Sequence, residues 1–449
     1  MKNYTLYSFL FLISAACLLS CSSDSSDDTP TSAVFIGELD WAKTIGGTRE
    51  DVAEDVLITS DSGIAIFGTT KSIDGDIIDH QSEDNDFWLA KFSADGSLLW
   101  NKTYGGSSED SGKAVIQTSD GGFAAVGFSR STDGDVAGNN GFYDKWVIKV
   151  DASGELQWQK NFGFTGLDQA FSIVQTTDGG YFVGGFLDVT ASGGLGNEGT
   201  ATRNLHGVGD FWIHKLDANG NLIWRNYFGG SNNDRCYDII QTDDGGVIMM
   251  GSSESNDVQV SNSKGSYDFW IVKVSSAGQI QWERSYGGSD ADNGFAIAKS
   301  SDGGYLLVGD TQSTDGDVTD TKGSFDFWAV KINATGNIQW QKTYGGTGFE
   351  SATDVVALQD GGYAIAGSSR SSDGDVSGNY AETDFWVIKI SDSGTLLWEK
   401  NFGGSNFDFA HGIVETDDKK LIVVGDTYST DNDVTLNKGQ QDLLVIQIK

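Results

Sequence analysis

The chain has 449 residues, with 64 Asp and Glu against 29 Lys and Arg and a formal net charge of −35. That carboxylate excess argues against nucleic-acid binding, which needs clustered Lys and Arg, and against direct adsorption to anionic headgroups. A hydrophobic content of 38% excludes a wholly disordered chain, and 60 Gly, one Pro and 12% aromatics favour strands and turns over helix bundles.

Lys2 precedes an apolar stretch from Leu6 to Leu19 that is short for a membrane span. The stretch ends Leu18-Leu19-Ser20-Cys21, which resembles the lipobox of bacterial lipoprotein signal peptides. The resemblance implies cleavage before Cys21, diacylglycerol on its thiol and an acyl anchor as the membrane contact. Residues 1–20 are thus expected to be a signal peptide, and residues 21–33 a Ser/Asp-rich tether with too little apolar surface to fold. The tether resembles the acidic patches of surface-exported lipoproteins of the Bacteroidota, which implies an outer-membrane lipoprotein exposed at the cell surface, with a periplasm-facing one as the alternative. Loss of Cys17 and acylation of Cys21 would leave Cys236 alone, so no internal disulfide is expected.

The remainder is repetitive. An Asp two residues before Trp recurs at Asp86, Asp144, Asp210, Asp268, Asp326 and Asp384, with Asp442 before Leu444 as a seventh copy, in steps of 58, 66, 58, 58, 58 and 58 residues. A second series runs Trp41, Trp100, Trp158, Trp224, Trp282, Trp340 and Trp398, and six of these are followed by a Gly-Gly pair; the third reads Gly163-Phe164. Within one unit, Phe295 to Lys299, Tyr305 to Gly309, Asp326 to Ile332 and Ile338 to Lys342 are predicted strands separated by Gly/Asp turns. Four strands per unit and seven units predict an all-β, seven-bladed propeller over residues 34–449. The strand around Trp41 has no unit before it, and the last unit stops after its third strand. The N-terminal strand is therefore expected to close the last blade.

The unit holding Asp268, Phe269, Lys273, Gly278, Gly287, Gly288 and Asp292 resembles the bacterial β-propeller repeat called SBBP. That resemblance covers nearly all of the mature chain and implies a platform rather than a chemistry. The Trp strands, such as Asp151 to Trp158, also resemble the tryptophan-docking repeats of quinoprotein propellers, which implies packing between blades. Burying one indole is worth ~4–6 kcal/mol as an upper bound.

Two polar series accompany the repeats. Lys91, Lys149, Lys215, Lys273, Lys331 and Lys389 recur five places after the strand Asp, and Asp51, Asp110, Asp168, Asp234, Asp292, Glu350 and Asp408 follow the Gly pairs. Gln447 takes the seventh place, and the two series supply an expected Lys–carboxylate pair in each of the other blades, bridging strand to turn. The long loops hold Asp74 and Asp76, Asp133 and Asp135, Asp315 and Asp317, Asp373 and Asp375, and Asp431 and Asp433, in each case around one residue. Carboxylates so spaced can offer oxygens to Ca²⁺, the one cofactor the chain suggests, although the downstream Glu of an EF-hand is missing. Asp-Gly is equally ordinary turn chemistry.

Blade three departs from the pattern. Its loop from Leu187 to Gly209 is eight residues longer than its counterparts, and Arg203, Asn204 and His206 make it a candidate contact site. His80 and His411 stand at isolated places, as surface or packing residues. For catalysis, Ser93 to Trp100 approaches a sialidase box but has its Gly one place early, and four scattered His form no metal cluster. The reading is a lipid-anchored, non-catalytic propeller that binds a protein or a glycan. An extracytoplasmic carbohydrate-active hydrolase or lyase, or an architectural subunit of an envelope complex, is the alternative.

Overall fold

The computed structural model describes residues 35–80, 82–197 and 205–449. The expected signal peptide, Cys21, the tether, Arg203 and Asn204 lie outside them. The described residues form seven antiparallel four-stranded sheets arranged as a seven-bladed propeller. Blade one runs outward from the axis as Asp51–Ile58, Ile64–Thr70, Asp86–Phe92 and Leu98–Tyr104. The seventh sheet combines Asp408–Glu415, Leu421–Thr427 and Asp442–Ile448 with the N-terminal strand Leu39–Ile45. Trp41 lies opposite Gln447 and Ile45 opposite Leu443, and the Gly37 amide donates to the Lys449 carbonyl at 2.7 Å. Closure by the N-terminal strand is as the repeat arithmetic requires, and it covers the free edge of Asp442–Ile448.

Blade packing follows the aromatic periodicity. Trp88, Trp146, Trp212, Trp270, Trp328 and Trp386 are fully buried. Phe87, Phe211, Phe269 and Phe327 each meet the buried Trp of the next blade at centroid distances of 4.4–4.6 Å. Trp residues of the outer strands reach under the next blade's turn glycine: a Cβ on Gly96 would lie 2.9 Å from Trp41, and one on Gly336 3.1 Å from Trp282. Both Trp series therefore pack blade against blade.

The expected Lys–carboxylate pairing is corrected in its partner. Lys91, Lys149, Lys215, Lys273 and Lys331 pair with Asp61, Asp120, Asp178, Asp244 and Asp302, in the hairpin turn, at 2.9–3.0 Å. The Asp51 series lies at the opposite end of the strands. Asp292, for example, accepts from the Gly288 amide at 2.7 Å and Ser313 Oγ at 2.9 Å, and also from Thr311 Oγ1. In blade six, Lys389 instead lies 3.8 Å over the ring of Phe35.

A bulge in every inner strand shapes the axis. Register shifts fall between Ala53 and Asp55, Gly112 and Ala114, Ala170 and Ser172, Cys236 and Asp238, Gly294 and Ala296, Ala352 and Asp354, and Ala410 and Gly412. The residue inside each shift is the one the bulge re-aims. The neighbouring strand carries a Gly opposite because a Cβ on Gly68 would lie 2.0 Å from the Val52 carbonyl oxygen, and one on Gly309 1.9 Å from that of Asn293. Inner strands of successive blades pack against one another, and Asp408–Glu415 against Asp51–Ile58 completes the ring.

Candidate binding site in the axial channel

The seven bulge residues are Glu54, Lys113, Phe171, Tyr237, Phe295, Thr353 and His411, and all are partly exposed. Together with Ser351 they line one cavity of about 260 Å³. Its wall is divided by chemistry. Blades three to five contribute an aromatic arc, in which Phe171 and Phe295 each stand 5.3 Å from the ring of Tyr237. Blades six, seven, one and two contribute a polar arc of Thr353, His411, Glu54 and Lys113. Lys113 is ion-paired with Glu54, and His411 Nε2 lies 2.6 Å from Asp426 Oδ1. Burial pulls the His411 imidazole down, but the Asp426 hydrogen bond and charge outweigh it and leave it above its ordinary value.

Three further carboxylates follow the bulge residues directly. Asp55 Oδ2 accepts from the Val115 amide at 2.8 Å, Asp354 Oδ2 from the Ile413 amide at 2.8 Å, and Asp238 from the Ile297 amide at 3.1 Å and Ser172 Oγ at 2.9 Å. Each ties its blade to the next. Desolvation raises Asp55 to about 7 and Asp238 to about 6, and lifts Asp354 well above the ordinary carboxylate range; mutual repulsion among the three adds to Asp55 and Asp354.

A second cavity of about 280 Å³ opens between blades six and seven and shares Ser351, Thr353 and His411 with the chamber. Phe349, Phe409 and Arg370 contribute to its wall, so the axial site continues sideways into a largely apolar groove. Larger hollows exist elsewhere. One of about 420 Å³ is walled by Asp79, Asp86, Asp133 and Asp135, and another of about 640 Å³ lies at the turn end of the inner strands by Leu57, Ile116 and Asp417. Neither joins an aromatic surface to hydrogen-bonding groups. The chamber does, and that combination makes it the candidate ligand site.

The described residues of the sites read from the sequence lie elsewhere. His206 is buried, with Nδ1 2.5 Å from Asp210 Oδ2 and its ring edge-on to Tyr227 at 4.9 Å, so it is an internal group of blade three rather than an exposed contact. The acidic loops fold as clasps. Asp74, Asp133, Asp315, Asp373 and Asp431 each accept from a backbone amide just beyond the Gly-Gly segment at 2.7–2.8 Å. Asp76, Asp135, Asp317, Asp375 and Asp433 accept from the amide of its first Gly at 3.1–3.3 Å. Among the described residues, no three His, Cys, Asp or Glu side chains are grouped to hold a metal ion. The clasp also explains blade three, where Phe164 replaces the second Gly and the Asp-Gly-Asp loop is missing together with it.

The sequence reading assigned no binding role to the bulge residues, and to His411 only that of a surface or packing residue, because they repeat in position and not in identity. No family model matches the chain. It is similar to the regulatory protein FlaEY of Caulobacter vibrioides (strain ATCC 19089 / CIP 103742 / CB 15), 22% identical over 407 residues, covering 82% of this chain and 41% of the relative. The chain thus spans less than half the length of that curated relative. Among solved structures it is similar to Sqt1 from Chaetomium thermophilum, with a TM-score of 0.44, 11% identity and coverage of 87% of this chain and 83% of that one. A puromycin hydrolase gives a TM-score of 0.48 at 11% identity, covering 86% of this chain and 52% of that one. BBS1N in complex with ARL6DN gives 0.46 at 8% identity, covering 93% and 97%. At these identities none of them transfers a site or an activity to this chain.

Proposed function

We propose that this protein is a non-catalytic binding platform of the cell envelope, held there by an acylated Cys21, and that it binds a protein or glycan ligand at the axial chamber. The observation that carries this reading is the wall of the chamber, where an aromatic arc faces a hydrogen-bonding arc at bulged positions of rigid inner strands. The groups that a reaction would employ are engaged structurally. His80 Nε2 lies 3.1 Å from Asp86, His411 is held by Asp426, and burial pushes the Cys236 thiol far above its ordinary value. Lipid anchoring and surface display rest on the Leu18-to-Cys21 lipobox and the acidic tether, as does the likeness to SBBP-repeat lipoproteins on the repeats.

The test is affinity capture from envelope and culture-matrix extract with the full-length protein and with a Tyr237→Ala/Phe295→Ala variant of unchanged melting temperature. A ligand retained by the first and lost by the second is the expected result. Equal retention by both would remove the chamber from the proposal. Metabolic labelling with a tagged fatty acid, lost on Cys21→Ser, tests the anchor.

A further inference from the structure

We infer that the axial chamber receives a single uncharged pyranose ring, the end sugar of a glycan, stacked on the arc formed by Phe171, Tyr237 and Phe295. This deepens the binding-platform reading and rests on it. A ligand for this chamber has to satisfy two unlike walls at once. The aromatic arc offers ring faces and edges and, apart from the Tyr237 hydroxyl, no hydrogen bonds, so whatever lies on it must be apolar over that face. Across the axis, Glu54, Lys113, Thr353 and His411 supply both donors and acceptors; each already has a partner within the protein, and an occupant that hydrogen-bonds there uses the capacity they keep.

A pyranose has this division built in. Its axial C–H bonds make one face apolar, while its hydroxyls lie around the rim as donors and acceptors. The cavity of about 260 Å³ has room for one such ring, and the adjoining groove of about 280 Å³ gives the next residue of a chain a way out between blades six and seven. Other occupants fit less well. An aliphatic side chain would make no use of the hydrogen-bonding capacity that the polar arc still offers. An anionic group would face Glu54 in a chain of net charge −35. A basic side chain would compete with Lys113, which already occupies Glu54. A neutral ring uses the ion pair intact, because Glu54 and Lys113 each remain about one-fifth exposed and can still hydrogen-bond outward.

The experiment is saturation-transfer NMR on the full-length protein in a detergent without sugar headgroups. The probes are the methyl glycosides of glucose, galactose, mannose and N-acetylglucosamine, with methyl glucuronide and N-acetyl-lysine methylamide as charged counterparts. The expected result is transfer to the ring C–H protons of at least one neutral glycoside and none to the two charged probes. Tyr237→Ala should weaken that binding by roughly five- to tenfold, the loss of one stacked ring. Phe295→Leu, which keeps an apolar side chain in place, should do so without moving the thermal transition. Absence of transfer from all four neutral glycosides overturns the inference, as does transfer that both variants leave unchanged, or preferential binding of the lysine derivative. The broader reading fails separately. A captured ligand that the Tyr237→Ala/Phe295→Ala variant loses, but that no neutral glycoside displaces, refutes the sugar and keeps the chamber, whereas capture unaffected by that variant refutes both.

Discussion

Replacing Lys145 by Phe should stabilise the propeller, and by an amount that depends on pH. Lys145 occupies the place held by Phe87, Phe211, Phe269, Phe327 and Phe385 in other blades, and it is fully buried. Its Nζ lies 4.6 Å over the ring of Trp212 and donates to the Trp212 carbonyl at 2.7 Å. Desolvation lowers its pKa from 10.5 to about 7. A lysine that favours the free base in the fold contributes a penalty that is full at and below pH 7 and fades as pH rises toward its unfolded value. At ~1.4 kcal/mol per pH unit that penalty is roughly 4–5 kcal/mol at neutral pH. Losing the Nζ hydrogen bond costs about 1 kcal/mol, which leaves a net gain of about 3–4 kcal/mol. With an unfolding entropy of ~2.1 cal/mol/K per residue, this corresponds to roughly 4 °C in Tm for a propeller of this size. Scanning calorimetry of Lys145→Phe and the parent protein at pH 7 and pH 10 reads the difference, since titrating groups that do not feel the Lys145 charge, as Asp168 and His214 do, cancel. A variant less stable than the parent at pH 7, or a gain that persists undiminished at pH 10, would refute the reasoning.

The wild-type protein should itself melt higher at pH 5 than at pH 7.5. Desolvation raises Asp55, Asp168 and Asp384 to about 7 and Asp110, Asp292 and Asp326 to about 6. Carboxyls raised in the fold stabilise it fully below pH ~4 and lose that contribution as pH climbs through 6 and 7; a Tm that rises with pH across this window would contradict the assignment. Gly288→Ala should cost about 1–3 kcal/mol, because its Cβ would lie 2.6 Å from the Asp315 carbonyl oxygen, whereas Gly378→Ala, with no atom within 4 Å, should change little; equal melting curves would show that the clasp does not need the Gly pair. Asp302→Ala removes a partner 2.9 Å from Lys331, a side chain only 5% exposed, and should cost about 1–3 kcal/mol by chemical denaturation; an unchanged midpoint would assign no stabilising role to the turn pair.

The blade count and the closing strand were legible because a 58-residue period with strand-length apolar runs leaves few architectures, and because the unpaired first strand and the missing last strand are complementary. The clasps were half legible. Gly-Gly and Asp-Gly-Asp were each visible, but their joint loss in blade three was the sign that one holds the other. The lysine partners were misassigned by ignoring strand polarity. Asp51 lies opposite Thr70 and Thr70 opposite Asp86, so Lys91, five residues farther along, is ~16 Å from that end and level with the turn that holds Asp61. The chamber escaped notice for the opposite reason. In a repetitive chain attention falls on what recurs, whereas its wall is built from the one inner-strand position that reads Glu, Lys, Phe, Tyr, Phe, Thr and His in turn. The glycine facing each bulge, as at Gly68 and Gly309, was the available clue to where that position points.

Photo-crosslinking tests the location of the binding site most directly. Phe295→p-benzoylphenylalanine puts the reactive group in the chamber wall, and Leu397→p-benzoylphenylalanine puts it on the outermost strand of blade six, where Leu397 is 63% exposed. Irradiation in envelope extract should give a discrete adduct from position 295 that excess ligand suppresses, and only diffuse background from position 397. A discrete adduct from position 397 with none from position 295 would contradict the assignment of binding to the axis.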